Sequence, residues 1–252
     1  IGFYGGGHGS CVQISGNVAE NNLVYDTGFA SATSNAGQAL DDGIIIKSCN
    51  NCVARGNTLQ DNGRNGVEVT SNWNGTSLCN SDNVIIENNY ISRSCNSSSP
   101  RASDDCGGVH LVRPSDAISG SIKNTIIRNN FIFDIVGLRA DFSPHGIKID
   151  SGVSGAIIVN NSLRNIAQEC IDTIEVSFPS GSLIVKNNAM YQCNVENVGG
   201  AGYVRMNTIS DWSHSNNTYW GDSNVKAVRI NNPSTDIMRD SVVSSFESSA
   251  IQ

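Results

Sequence analysis

Short runs of alternating apolar and polar residues recur along most of this chain. One run type is interrupted by Asn-Asn or Gly-Asn and then continues with a second apolar run. Its copies are residues 18–24, 53–59, 85–91, 126–132, 157–163 and 184–190, with a degenerate copy at 214–219. The last Asn of successive copies recurs every 27 to 41 residues. A repeat of this length indicates stacked structural units whose loops differ in length.

A second pattern lies between the Asn motifs: a small residue, then alternating apolar and polar residues. Its copies begin at Gly43, Gly66, Gly108 and Gly146, with looser copies at Cys170 and Gly202. Such alternation, rich in Ile and Val, is typical of a strand with one buried face. Each repeat is therefore predicted to contain at least two short strands. Asn is expected at the turn between them because it tolerates left-handed backbone and can hydrogen-bond between repeats.

These two patterns resemble the repeat of the right-handed parallel β-helix, or pectin-lyase-like, superfamily over about residues 5 to 220. The resemblance implies an all-β, right-handed parallel β-helix solenoid of about eight coils with variable loops. We expect residues 1–224 to form the parallel β-helix. Residues 225–252 should supply its last strand, at 225–230, and a capping tail whose 236–247 segment shows a helical period. No N-terminal cap is evident, so we expect a longer chain or another subunit to cover the first coil.

Composition and charge limit the partners and the cellular compartment that we expect for this chain. The 252 residues include 32 Asn, 34 Ser and 25 Gly, and the net charge is −7. Without a Lys/Arg cluster, nucleic acid is not an expected partner, and without a run of 18 apolar residues, no membrane span is expected. Eight cysteines and four Asn-x-Ser/Thr sequons predict a secreted, extracellular protein with disulfides. Cys79 and Cys95 flank one polar stretch and are candidates to close it, whereas Cys49 and Cys52 have only half of a zinc-site spacing.

Candidate chemistry emerges when the strands of the second pattern are aligned. The polar position between the two apolar ones holds Ile45, Glu68, His110, Lys148, Asp172 and, after a one-residue slip, Arg205. Stacked strands lie about 4.8 Å apart, so these side chains should be neighbours. The candidate catalytic residues are Lys148, His145, Asp150, His110 and Asp172. The candidate substrate-binding residues are Glu68, Arg205, Asp41, Asp42 and Arg113.

A mixed group of this kind suits proton abstraction or glycosidic cleavage. Its alternative interpretation is a structural ladder, in which alternating charges stabilise the stack. Long polar connections at 70–83, 93–107, 112–123 and 134–145 are expected to wall a binding groove or to be neutral surface loops.

The resemblance implies two enzymatic chemistries and one non-enzymatic role. Polygalacturonases of this fold carry an Asp-Asp pair and an Arg-Ile-Lys; here Asp41-Asp42 is similar, but Gly146 replaces the Arg before Ile147-Lys148. Pectate-lyase-like enzymes use a Lys or Arg base with acidic residues that bind Ca²⁺. The residues alone predict no metal, and Ca²⁺ is the one cofactor implied by the resemblance.

Two functional hypotheses follow. The first is a secreted enzyme, lyase-like or hydrolase-like, that cleaves an extended and acidic polysaccharide. The second is a non-catalytic module: an adhesin, fibre, tailspike-like or glycan-binding segment of a larger protein.

Overall fold

The computed structural model describes residues 1–5, 12–27, 42–71, 79–96, 106–112, 122–137, 143–150, 153–173, 182–195, 202–208, 212–221, 226–231 and 234–238. Within these ranges the chain is all-β: 27 strands are present and no helix. Accordingly, the described residues contain no helix with the length and apolar character needed to cross a lipid bilayer.

Most strands belong to three long sheets. Sheet 1 contains β1 (Gly2–Tyr4), β5 (Ile44–Lys47), β9 (Asn65–Thr70), β12 (Cys106–Val112), β16 (Pro144–Ile149), β20 (Ile171–Thr173), β23 (Val204–Met206), β26 (Lys226–Asn231) and β27 (Ser234–Met238). Sheet 2 contains β3 (Val18–Glu20), β7 (Val53–Arg55), β10 (Ile85–Glu87), β14 (Ile126–Arg128), β18 (Ile157–Val159), β21 (Leu183–Lys186) and β24 (Trp212–Ser215). Sheet 3 contains β4 (Leu23–Tyr25), β8 (Thr58–Gln60), β11 (Tyr90–Ser92), β15 (Phe131–Ile135), β19 (Ser162–Ile166), β22 (Ala189–Cys193) and β25 (Thr218–Trp220). Two small sheets pair β2 (Ile14–Ser15) with β6 (Cys49–Asn50), and β13 (Ile122–Lys123) with β17 (Val153–Ser154).

The chain visits the three long sheets in a fixed order, which is sheet 1, then sheet 2, then sheet 3. Each visit adds a strand parallel to the one before it in the same sheet, except for the last pair in sheet 1. This arrangement is consistent with a parallel β-helix. The described repeats hold three main strands, which agrees with the prediction of at least two: the Asn motif covers the strands of sheets 2 and 3, and the second pattern covers those of sheet 1.

The apolar positions of all three sheets meet in one core. Most three-residue strands of sheets 2 and 3 bury their central residue, as Ile127 does, and the five-residue strands of sheet 3 bury their second and fifth residues, as Ile132 and Ile135 do. Strands of sheet 1 bury two alternating residues, as Ile147 and Ile149 do. Because a strand of this length cannot bury its apolar face alone, the stacking of repeats supplies the core.

The glycines of the second pattern lie where sheet 1 packs against sheet 3. A Cβ atom on Gly108 would collide with the side chain of Ile132 and with the carbonyl oxygen of Gly146. A Cβ atom on Gly66 would meet Ile91 in the same way. These positions therefore need glycine because of close packing.

A ladder of buried asparagines runs through the stack. It consists of Asn22, Asn57, Asn89, Asn130, Asn161, Asn188 and Asn217, each of which hydrogen-bonds to the next through its side-chain amide. Asn130 is typical. Its Oδ1 accepts from the backbone N–H and the Nδ2 of Asn89, both at 3.0 Å, and its Nδ2 donates to Asn161 Oδ1 and to the Ile86 carbonyl. The amide is thus fully satisfied although it is buried.

The left-handed backbone of the turn belongs to the preceding residue. Asn88 and Asn129 have φ near +57°, and Gly56 takes the same place with φ of +64°. The sequence pattern assigned both tasks to one asparagine, whereas the structure divides them. The first residue of the pair turns the chain, and the second builds the ladder.

Disulfide bonds join Cys49 to Cys52, Cys95 to Cys106 and Cys170 to Cys193. The expectation that Cys79 pairs with Cys95 is wrong, because Cys106 at the start of β12 lies beside Cys95. Cys79 is also disulfide-bonded, to a partner outside the described residues. Such bonds fit an oxidising, extracellular setting.

At the C-terminal end, β26 agrees with the last strand predicted at 225–230. β27 then pairs antiparallel with β26. The helical period predicted from residue 236 is therefore wrong for residues 236–238, which continue a strand. The rest of the tail lies outside the described residues, so the capping role and the domain boundary at 224/225 stay predictions.

The ladder predicts a large stability loss for Asn130→Ala. The substitution removes the acceptor of two buried N–H groups on Asn89, the donor to the Ile86 carbonyl and one of the two donors to Asn161 Oδ1. Because an unsatisfied buried polar group costs about 1–3 kcal/mol, we expect a loss of about 3 kcal/mol or more in the free energy of unfolding, measured by urea denaturation.

Asn83→Gly is the matched control. Like Asn130, Asn83 hydrogen-bonds to other asparagines between repeats, but it is exposed, and glycine can keep its positive φ. A loss below about 0.5 kcal/mol is expected there. Equal losses in the two variants would show that burial of the ladder does not set its contribution.

Candidate acid–base cluster on the first sheet

The strand register of sheet 1 aligns the polar positions predicted from the sequence. Glu68 pairs with His110, His110 with Lys148, Lys148 with Asp172, and Asp172 with Arg205. The one-residue slip assumed for Arg205 is correct, because Tyr203 stands where glycine or Cys170 stands in the preceding repeats. We call this row the charged column.

The charged column faces away from the apolar core, yet it is buried. Glu68, His110, Lys148 and Asp172 are each no more than 5% exposed. Arg205 is the main point of contact with solvent, since its side chain is 31% exposed. Buried charges are costly unless they are paired, so the pairing within the column determines what the site can do.

The first group of interacting side chains around the charged column consists of His110, Asp150 and Lys148. His110 Nε2 lies 2.9 Å from Asp150 Oδ2, which fixes Nε2 as the N–H donor to an ionised carboxylate. Lys148 Nζ lies 3.7 Å from the other oxygen, Asp150 Oδ1. Asp150 follows β16 two residues after Lys148, so both side chains lie on the same face of the strand.

The second group of interacting side chains consists of His145, Glu169, Asp172 and Arg205. His145 Nδ1 lies 3.1 Å from Glu169 Oε2, and His145 Nε2 lies 3.8 Å from Asp172 Oδ2. Arg205 Nη1 lies 3.6 Å from Glu169 Oε1. One imidazole thus lies between two carboxylates, with a guanidinium on the far side of one of them.

Glu68 belongs to a third group, earlier in the stack. Arg64 Nη1 donates to Glu68 Oε2 at 2.8 Å, and Asn65 Nδ2 donates to the same oxygen at 3.1 Å. Asp42 Oδ1 accepts from the backbone N–H of Asn65. Burial and the Glu68 charge raise the pKa of Asp42 well above its usual value, although Arg64 lowers it.

Among the carboxyl side chains of these first two clusters, the pKa values shift in opposite directions. Burial raises the pKa of Asp172, and the Glu169 charge raises it further against the opposing cations. Burial also acts on Asp150 and Glu169, but the pKa of each is lowered overall, by His110 for Asp150 and by His145 for Glu169. Burial lowers the pKa of His145, but Glu169 and Asp172 outweigh it and the pKa is raised. Asp172 therefore retains a proton to higher pH than its neighbours.

The structure brings together eight of the ten residues singled out from the sequence. Lys148, His145, Asp150, His110 and Asp172, the candidate catalytic residues, are in contact through the first two groups. Of the candidate binding residues, Arg205 joins the second group, and Glu68 and Asp42 form the third. Asp41 and Arg113 lie outside the described residues, as do most of the loops expected to wall a groove.

Glu169 and Arg64 are members of the cluster that the sequence patterns missed. Glu169 occupies the position of His145 one repeat later, three residues before the charged column. Asp42 and Asn65 hold the same position in earlier repeats, so aligning that position would have found Glu169. Arg64 has no counterpart of this kind in the pattern.

One subset of the cluster could hold a metal ion. His145, Glu169 and Asp172 each offer a ligand atom, and these atoms lie within 4.8 Å of one another. Calcium prefers about six to eight oxygen ligands, whereas this set supplies an imidazole and two carboxylates with Arg205 beside one of them. The described residues do not fit the calcium ion implied by the resemblance. Their donor types suit a divalent transition metal better.

The His145–Glu169 pair predicts a pH-dependent contribution to stability. A histidine whose folded pKa exceeds the unfolded value of 6.5 stabilises the fold fully below that value, and the contribution is lost as pH rises through the folded pKa. Glu169→Gln should lower the pKa of His145. The stability advantage of the wild type over this variant should therefore shrink between about pH 5.5 and 8.5, by about 1.4 kcal/mol per unit of pKa lost.

Urea unfolding across that pH range and an NMR titration of His145 measure both quantities. Glu20→Gln is the matched control, because it makes the same change in an exposed pair with Arg55 that should be insensitive to pH in this range. An unchanged His145 pKa in Glu169→Gln would contradict the assigned pairing.

The sequence matches no protein-family model, and a search of curated proteins finds no relative. The function therefore has to be inferred from the sheets and from the cluster itself.

Proposed function

We propose that this chain is a secreted, right-handed parallel β-helix of about eight coils, similar to the pectin-lyase-like proteins, that cleaves an extended, acidic polysaccharide. The reaction centre is the acid–base cluster of sheet 1. Polysaccharide is the partner that a repeating scaffold suits, since successive repeats can present similar contacts to successive sugars.

The observation that carries the proposal is the divergence of carboxyl pKa values within one contiguous cluster. Asp172 is held protonated to higher pH, while Asp150 and Glu169 are held ionised to lower pH. Lys148 lies between them, in register with Asp172 and 3.7 Å from Asp150. Titratable neighbours whose environments separate their pKa values are the arrangement that acid–base catalysis requires.

A hydrolytic reaction assigns the two aspartates different roles. Asp172 donates its proton to the oxygen of the breaking glycosidic bond, and the Asp150 carboxylate, held by His110, accepts a proton from the attacking water. His145 positions Asp172, and burial together with the Glu169 charge keeps Asp172 from ionising. Arg205, the most exposed member, contacts a carboxylate of the incoming glycan.

An eliminative reaction uses the basic side chains instead, with Lys148 acting as a neutral amine. Lys148 removes the proton next to the uronate carboxylate, and Arg205 pairs with that carboxylate to offset the charge that develops on it. The leaving oxygen takes a proton from Asp172. Both reactions use the same buried groups and differ in the product, which makes them experimentally separable.

A second candidate function, a non-catalytic module, is favoured by one specific observation. The charges of the cluster pair with one another and are largely buried, as a structural ladder would also require. In that case the cluster would hold the repeats together, and glycan or protein binding would lie elsewhere on the chain.

The test is an activity screen of the purified protein on acidic and neutral polysaccharides, following both reducing ends and unsaturated products. Asp172→Asn should lower the rate of either reaction by at least about 100-fold, and Lys148→Met should do so for the eliminative reaction, because each removes a group that transfers a proton. Asp61→Asn and Lys123→Met are matched controls on the outer surface and should retain activity. Activity should survive chelation of Ca²⁺.

The products decide between the chemistries. Unsaturated products lost in Lys148→Met establish the eliminative reaction, and reducing ends alone, lost in Asp172→Asn, establish hydrolysis. Urea unfolding confirms that each variant is folded. Inactivity of a folded wild type on every polymer would overturn the enzymatic proposal in favour of the module.

A further inference from the structure

The outer face of sheet 3 carries a groove that is separate from the acid–base cluster. It spans four successive strands, β15, β19, β22 and β25, and encloses about 440 Å³. Phe131 forms one end, and Tyr191 and Trp220 form the other. Three strand spacings separate the ends, or about 14 Å, which is enough for an oligosaccharide rather than a single sugar.

The floor of the groove is made of small side chains. Ser162, Ala189 and Thr218 follow one another in register across β19, β22 and β25. Because these side chains are short, the flanking rings stand above them as walls. Two of the floor residues carry hydroxyl groups, which can exchange hydrogen bonds with a polar ligand.

The wall at Phe131 is rigid. The rings of Phe131 and Phe133 are stacked with centroids 4.7 Å apart, and Tyr90 packs against Phe133 edge-on at 4.6 Å. At the other end, Trp220 is 58% exposed. Flat, exposed aromatic faces above a polar, small-residue floor suit a sugar ring, whose C–H face is apolar and whose rim carries hydroxyl groups.

The positive charge of Arg164 indicates which class of sugar the groove would favour. Arg164 is exposed in the groove, with its guanidinium 5.6 Å from the centroid of the Tyr191 ring. No carboxylate among the described residues lies within ion-pairing distance of Arg164, in contrast with Arg55, Arg93 and Arg128, which are all paired. A guanidinium fixed beside an aromatic face, with no described carboxylate to neutralise it, complements a carboxylate carried by the ligand.

We propose that this groove is an accessory binding site for an acidic, uronate-containing oligosaccharide. The sugar rings stack on Trp220 and Tyr191, and one uronate carboxylate pairs with Arg164. The site lies on a different sheet from the acid–base cluster, so it does not require the cluster to be catalytic. Its role would be to hold a polymer on the protein.

The experiment measures the dissociation constants of oligogalacturonate and of neutral cello-oligosaccharides by calorimetry. It uses the wild type and an Asp172→Asn background that limits cleavage of the probe. Trp220→Ala should weaken oligogalacturonate binding at least about tenfold, from loss of stacking. Arg164→Gln should remove the preference for the acidic probe over the neutral one.

Matched controls come from the same chain. Tyr25 lies in the same registered row as Trp220, six strand spacings away, and is similarly exposed at 61%. Tyr25→Ala should bind normally. Lys123→Gln removes one exposed positive charge outside sheet 3 and should keep the preference for the acidic probe.

Each contrary outcome overturns the proposal. Absence of oligogalacturonate binding, or equal losses in Trp220→Ala and Tyr25→Ala, would remove the groove as the site. Equal affinity for the two probes, unchanged in Arg164→Gln, would remove the acidic class. Concentration-dependent dimerisation in analytical ultracentrifugation that Trp220→Ala abolishes would identify a second copy of the chain as the occupant. Binding by a folded but inactive protein would support the groove while the enzymatic proposal fails.

Discussion

The buried asparagine ladder is the interaction on which the rest of the structure depends. Parallel strands of three residues make few hydrogen bonds of their own, and a one-residue slip would turn every side chain to the opposite face. Each ladder asparagine accepts from one repeat and donates to the next, so a slipped repeat would leave buried amide groups unsatisfied. The ladder therefore fixes the register of all three long sheets, including faces that it never touches.

The charged column is a consequence of that register, and stability alone does not account for it. Burying an ion pair stabilises a protein no better than apolar side chains of similar volume would. Here several such pairs are buried on one face, and their carboxyl groups are driven to opposite pKa directions within a few ångströms. A structural ladder requires only that opposite charges alternate. The divergence between Asp172 and its ionised neighbours is the additional feature, and it is what proton transfer uses.

The sequence predicts those parts of the structure that follow a regular period. Alternation located the strands of sheet 1 and aligned Glu68, His110, Lys148 and Asp172 correctly, because side chains of a strand change face at every residue. It missed Glu169, because this residue lies three positions before Asp172, and a regular alternation assigns residues three apart to opposite faces of the strand. It also missed the pairing of Cys95 with Cys106, since sequence separation does not encode which cysteines lie side by side.

The Asn motif shows where the strands of sheet 3 begin, but it does not show how their outer faces align. Most strands of this sheet are three to five residues long with one or two inward positions, which is too short for alternation to be recognised. Its outer face therefore could not be aligned, and the row of Phe133, Arg164, Tyr191 and Trp220 emerged only from the strand register.

The acid–base cluster and the aromatic groove belong to the same repeats. The groove strands β15, β19 and β22 directly precede β16, β20 and β23 of sheet 1 along the chain, so each repeat contributes to both faces. The same spacing of about 4.8 Å therefore governs both sites, and both run along the stacking direction. A ligand that fits one of these faces by repeating along it is an extended polymer, and a polymer held in the groove would lie parallel to the charged column. A single compact metabolite would use neither the length of the groove nor the length of the column, whereas a repeating acidic glycan would use both.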